Sequence, residues 1–216
     1  MVVMFDLDGV LLDSEVPIKL LWRRLLPTVS TSKFSILWER CLGVNQQTEC
    51  QTFQTLLGWT IDQYLHFIHN VQALSPSHFP LRQGVISCLH HLRQMGVEVA
   101  IVTSRNLREL PEIMNPEDWN QLRAACKLIV TGDMGLASKP DPAPYLFAIK
   151  TLQVFPEDCL VIEDAPNGIE SALLAGATVV ALEDTVSHDI TRYQKPMVVL
   201  SKPLINDVEQ IIRCIC

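Results

Sequence analysis

Met1-Val-Val-Met-Phe-Asp6-Leu-Asp8-Gly9-Val-Leu-Leu-Asp13-Ser14 is the stretch whose reading decides the fold. Val2 to Phe5 is an apolar run and reads as a buried strand. It ends in two carboxylates, Asp6 and Asp8, and Gly9 then permits a sharp turn. In a parallel α/β sheet, ligands bind outside the carboxyl ends of the strands. No basic residue stands beside these acids in sequence, so their mutual repulsion calls for compensation. A hard divalent cation such as Mg²⁺ would supply it. Alone, D-x-D-G also suits a solvated turn, and the rest of the chain has to decide.

Outward from that stretch, two regimes follow. Residues 15 to about 80 show helical periodicity. Pro17 suits a first helical position, with Ile18, Leu21, Trp22 and Leu25 on one face. Thr60 and Gln63 form a candidate capping box before Leu65, Phe67 and Ile68. No strand is expected here, so this stretch reads as a small inserted helical domain, its aromatics mostly core.

From Pro80 onward, strands and helices alternate. Val97–Val102, Leu128–Val130, Leu160–Ile162, Val179–Leu182 and Met197–Leu200 read as strands. Helices are expected from Gly84 to Gly96, after Asn115-Pro116, and over Pro144–Leu152, Gly168–Ala175 and Asn206–Cys214. This rhythm predicts an α/β fold: a Rossmann-like, doubly wound parallel sheet covered on both faces. The core comprises 1–14 and 81–216, and the helical insertion 15–80.

Composition narrows the partners. The chain has 216 residues and a formal net charge of −7, which disfavours a nucleic-acid backbone as ligand. An anionic small substrate stays open, because a bound cation reverses the local field. No apolar run is long enough for a membrane span, and no signal-peptide pattern is present. Seven cysteines, an odd number without a C-x-x-C pair, suggest reduced thiols and a cytoplasmic protein. The six histidines stand away from the strand ends and read as surface or structural. A monomer is expected.

Four strand ends or helix starts carry polar signatures: Asp6/Asp8, Thr103-Ser104-Arg105, Lys139 in S-K-P-D-P, and Glu163-Asp164. Each has a dull alternative as cap, solvated charge or turn. Their joint placement points to a single site.

In order, these motifs are D-L-D-G-V-L-L-D-S-E, I-V-T-S-R, S-K-P-D-P and V-I-E-D-A-P-N-G. In them the chain resembles the haloacid dehalogenase-like hydrolase superfamily, in its β-phosphoglucomutase-like, small-cap phosphatase branch. The helical insertion stands where that family carries its cap. The resemblance implies a Mg²⁺-dependent phosphatase acting on a small phosphorylated metabolite, a sugar phosphate or nucleoside monophosphate. It implies Asp6 as the nucleophile that forms an aspartyl-phosphate and Asp8 as acid and base. Lys139 would neutralise charge, and Thr103, Ser104 and Arg105 would bind the phosphoryl group. Asp6, the Asp8 carbonyl and Asp164 would hold Mg²⁺, with Glu163 beside them. A sugar-phosphate mutase is the nearest alternative. It needs a basic cap residue where Gln46 stands, although Arg40 or Arg105 would also reach a distal group. A non-catalytic phosphate-binding regulator is the second alternative.

Overall fold

The computed structural model describes residues 1–183, 186 and 197–201. Six strands form one parallel sheet: β1 (Val2–Phe5), β2 (Glu98–Val102), β3 (Leu128–Val130), β4 (Cys159–Glu163), β5 (Thr178–Glu183) and β6 (Met197–Ser201). Their order is β3-β2-β1-β4-β5-β6. The chain moves outward from β1 to β3, then returns to the other side of β1 to lay down β4. The switch point therefore falls between β1 and β4, where open α/β sheets build their ligand sites. The expected α/β, Rossmann-like parallel sheet is what the chain forms.

β1 lies at the centre and is buried along its length, which is why its sequence is continuously apolar rather than alternating. Its side chains still alternate in space. Val3 and Phe5 join Val85, Leu89 and Leu122 on one face. Val2 and Met4 join Tyr145, Ile149 and Ile169 on the other. The covering helices are α5 (Val85–Gln94), α6 (Leu110–Ile113), α7 (Pro116–Ala125), α8 (Ala143–Leu152) and α9 (Pro166–Leu174). Asn115 caps α7 by accepting from the Asp118 N–H, with Pro116 at the first helical position as its sequence suggests.

Four helices intervene between β1 and α5: α1 (Glu15–Leu25), α2 (Thr31–Cys41), α3 (Gln46–Leu57) and α4 (Ile61–Leu74). They enclose a hydrophobic cluster of their own, centred on Trp22, Leu37, Trp38, Phe53, Tyr64 and Phe67. Trp22 packs edge-on against Trp38, Phe53 and Phe67, with ring centroids 5.2–5.3 Å apart, a preferred aromatic geometry. The Thr60–Gln63 capping box forms in full. Pro17 does not open α1, which starts at Glu15. It sits at the third helical position, where its missing N–H has no intrahelical partner to lose.

The chain leaves and rejoins the sheet region at one place. The Asp13 N–H donates to the Pro80 carbonyl at 3.0 Å, and the Arg82 N–H to the Leu11 carbonyl at 2.9 Å. Leu12 and Leu81 form an antiparallel bridge between the two connections. The expected helix over 206–214, with Cys214 and Cys216, and also His188, lie outside the described residues.

Candidate active site

Asp6 follows β1 directly, and its N–H donates to the Ile162 carbonyl of β4 at 3.0 Å. The strand pairing thus carries Asp6 to the switch point. Glu163 ends β4 and Asp164 follows it, so both arrive from the neighbouring strand. Lys139 reaches in from the segment before α8. Its ammonium, with a side chain 1% exposed, donates to Asp6 Oδ1 at 2.6 Å, Glu163 Oε1 at 2.6 Å and the Val102 carbonyl at 3.0 Å. All three of its donors are used.

Glu163 is fully buried and saturated. Its Oε1 also accepts from the Tyr145 hydroxyl at 2.8 Å, and its Oε2 accepts the Asp164 and Ala165 N–H groups at 3.2 and 3.3 Å. It therefore fixes the lysine and the following turn. Gly168 makes room for it: a Cβ there would stand 1.9 Å from Glu163 Oε1. Gly9 does the same for Asp164. Its φ of +73° favours glycine, and a Cβ would lie 1.9 Å from Asp164 Oδ2.

Oxygens of Asp6, Glu163 and Asp164 lie within 4.8 Å of one another, all three residues buried. Burial pushes the Asp6 carboxyl up to about 7 against the pull of Lys139. Burial first, then Glu15 and Glu163, raise Asp164 well above the usual carboxylate range. Three buried acids face one ammonium, so negative charge is in surplus. An all-oxygen donor set of this spacing fits a hard cation such as Mg²⁺.

Asp8 stands apart from that cluster. Arg105 clamps it with two hydrogen bonds, Nε to Oδ2 at 2.6 Å and Nη2 to Oδ1 at 2.7 Å, and the Ser14 hydroxyl donates to Oδ1 at 2.7 Å. Burial alone would raise its pKa. Arg105 and Ser14 outweigh burial and hold Asp8 below the usual range. Arg105, expected at the phosphoryl group, is thus on Asp8 in this structure.

Thr103 directly follows β2 with its N–H on the Val130 carbonyl, and its Oγ1 accepts the Arg105 N–H at 3.2 Å. The Ser104 hydroxyl donates to the Gly43 carbonyl at 2.7 Å, tying this loop to the one between α2 and α3. No helix starts at Ser104 itself. A 3₁₀ turn over Leu107–Glu109 comes first, and α6 follows.

A cavity of about 500 Å³ opens between the sheet end and helices α1–α4. Asp6, Asp8, Thr103, Ser104, Arg105 and Asp164 line it. Lys139 sits behind Asp6, against a smaller adjoining void. Gln46 faces the cavity, whereas Arg40 is exposed on α2 and does not line it. The five described histidines do not line it either.

Sequence reasoning passed over Ser14, Tyr145 and Glu49. Ser14 stands in the first motif and was legible there as a polar neighbour. Tyr145 reaches Glu163 only because α8 packs over the sheet against β2 and β3 and beside α9. Glu49 lies in α3 and meets Tyr64 of α4 across the interface between those helices. No spacing in the sequence announces either meeting.

A family model for haloacid dehalogenase-like hydrolases matches residues 3–182, and the chain belongs to this family. It is 28% identical over 177 residues to the phosphorylated carbohydrates phosphatase of Thermotoga maritima, covering 81% of each chain. Hexitol phosphatase A of Escherichia coli is 28% identical over 181 residues, 83% of this chain and 81% of that one. A family IA, variant 3 hydrolase of Entamoeba histolytica shares the fold, with a TM-score of 0.69 at 22% identity over 98% of this chain and 99% of that one.

Proposed function

We propose that this protein is a Mg²⁺-dependent phosphatase of a small phosphomonoester, acting through an aspartyl-phosphate on Asp6. The observation that carries the reading is the Lys139 ammonium, bonded to both Asp6 and Glu163 at the switch point and facing the acid cluster. The Thermotoga maritima and Escherichia coli relatives are named as a phosphorylated carbohydrates phosphatase and a hexitol phosphatase.

Asp6, Asp164 and the Asp8 carbonyl would hold Mg²⁺, which supplies positive charge to the phosphoryl oxygens. Lys139 favours the ionised form of Asp6 against its burial and adds the second positive charge. The Asp6 carboxylate attacks phosphorus, and the leaving oxygen departs with a proton from Asp8. Asp8 then takes a proton from the water that cleaves the acyl-phosphate. The Arg105 clamp suits the second step, because it holds Asp8 as a carboxylate. For the first step, the phosphoryl group competes for the guanidinium and frees Asp8 to carry a proton. Helices α1–α4 act as a cap over residues 15–80, and the paired connections at 13 and 80–82 serve as its hinge.

A mutase would have to hold a second phosphate. Among the described residues, the cavity lining includes six carboxylates and a single basic side chain, Arg105, already on Asp8. That favours water as the acceptor. The test is phosphate release from a panel of phosphorylated metabolites with Mg²⁺ and with excess chelator. Release with Mg²⁺ alone is expected. No release from any compound, together with failure to bind BeF₃⁻ with Mg²⁺, refutes the reading.

A further inference from the structure

The cap side of the cavity carries polar groups that the phosphoryl chemistry does not use. Glu49 on α3 faces the cavity, and its Oε1 accepts from the buried Tyr64 hydroxyl at 2.8 Å. Its other oxygen takes no hydrogen bond among the described residues. Trp22 on α1 lines the same cavity, 4% exposed, and its buried indole N–H has no acceptor among the described residues. One acceptor and one donor thus stand unused on one wall. A hydroxyl group both donates and accepts, and would satisfy each of them. Around them, Gln46 and Gln72 add neutral amides. Glu15 contributes another carboxylate oxygen that is buried without a partner.

We propose that Glu49, oriented by Tyr64, and Trp22 form a hydroxyl-recognition subsite that selects an uncharged polyol or sugar as the leaving group and turns away substrates carrying a second anion. This inference rests on the phosphomonoester reading and narrows it. A distal carboxylate or phosphate would meet Glu49, while the cavity's guanidinium, Arg105, is engaged by Asp8 or by the transferring phosphoryl group. A polyol hydroxyl loses nothing by entering, since it exchanges water for Glu49. A site built to bond hydroxyls discriminates strongly against a ligand that leaves its polar groups unpaired.

The deciding measurement compares sorbitol 6-phosphate with phosphoglycolate on the full chain with Mg²⁺. For wild type and Glu49→Gln, kcat/KM for each is divided by the value for p-nitrophenyl phosphate in the same protein. Wild type should favour the hexitol phosphate on the order of 10²-fold. Glu49→Gln keeps an acceptor for Tyr64 but removes the charge, and should lower that preference about tenfold, with phosphoglycolate gaining. A wild-type preference for phosphoglycolate, or a variant ratio within about twofold of wild type, overturns the proposal. If no phosphomonoester is hydrolysed, the phosphatase reading has failed by itself. The subsite is then judged by calorimetric binding of the same two compounds to the same two proteins. Loss of the polyol preference in the variant supports it, and equal ratios refute it.

Discussion

Lys139 is a buried charge whose position is over-determined. Three acceptors hold it, two of them carboxylates. Removing one partner of a buried ion pair typically costs about 3–5 kcal/mol, because the other charges remain buried without compensation. Lys139→Met should therefore lose most turnover and melt well below wild type at pH 8. The deficit should shrink as pH falls, since Asp6 and Asp164 can then protonate. A deficit independent of pH would mean that the lysine acts through packing alone. Asp6→Asn should behave in the opposite way. Burial already pushes Asp6 up to about 7, so the folded protein keeps a proton there that the unfolded chain has lost. Without metal, stability at this residue is greatest below the ordinary carboxylate pKa and declines as pH rises through about 7. Asn removes that decline. Asp6→Asn should thus abolish turnover, yet melt no lower than wild type in metal-free buffer at pH 8. Adding Mg²⁺ should raise the wild-type melting temperature and leave Asp6→Asn nearly unmoved, because ligand stabilisation follows affinity for the folded state. Equal Mg²⁺ shifts in both proteins would remove Asp6 from the cation site.

At the scale of elements, the strand ends decide geometry and the glycines beside them permit it. Gly168 is the test case in the first turn of α9. Gly168→Ala places a methyl carbon 1.9 Å from Glu163 Oε1, in a carboxylate held by Lys139, Tyr145 and two backbone N–H groups. Glu163 must move and take Lys139 with it. The expected result is a large loss of turnover with a lowered melting temperature, whereas Glu163→Gln should retain the fold and lose activity through the lysine alone. Wild-type turnover from Gly168→Ala would show that Glu163 does not position Lys139. The α3–α4 interface gives a second prediction. Burial raises Glu49 to about 7 despite the Tyr64 hydrogen bond. The contribution of Glu49 to stability is therefore complete below its ordinary pKa and falls as pH rises through about 7. Glu49→Gln should melt a few degrees above wild type at pH 8 and close to it at pH 5. An unchanged difference across that range would place Glu49 in water. Here the limits of the sequence also show. Apolar runs fixed by burial made β1, β2 and β4 legible, and with them the acids and threonine at their ends, while Lys139 was legible only from its S-K-P-D-P motif before α8. Helix boundaries were less so: α1 starts two residues before Pro17, and α6 carries no signal because four residues give no periodicity. Tyr145 and Glu49 depend on how whole helices pack, which no local spacing encodes.

At the scale of the whole molecule, one short loop makes the polar ties between helices α1–α4, the proposed cap, and the sheet region. Residues 42–45 between α2 and α3 are docked by three polar contacts from three separate core segments. The Ser104 hydroxyl bonds the Gly43 carbonyl, the Asn45 N–H bonds the Ser138 hydroxyl at 3.3 Å, and the Asn167 amide bonds the Leu42 carbonyl at 2.8 Å. Two of those core segments are the loops that carry Arg105 and Lys139, and the third is the first turn of α9, just after Asp164. Docking the cap is therefore coupled to the positions of the reacting groups, although the cap itself contributes none of them. Gly43 adds close packing, since a Cβ there would lie 2.9 Å from the Ala165 Cβ. Of the three ties, Asn167 is the one whose side chain lines neither the cavity nor the smaller void beside Lys139. Asn167→Ala should release one hydrogen bond, on the order of 1 kcal/mol, or roughly fivefold in the balance between closed and open cap. Amide hydrogen exchange over residues 43–47 should speed up by that factor, while the amides of β1 and β4 stay unchanged. KM for a polyol phosphate should rise with it, because substrate would have to supply the closing energy that the amide no longer provides. Exchange that is unchanged at 43–47, or that quickens equally in the sheet, would show that this loop is not the latch.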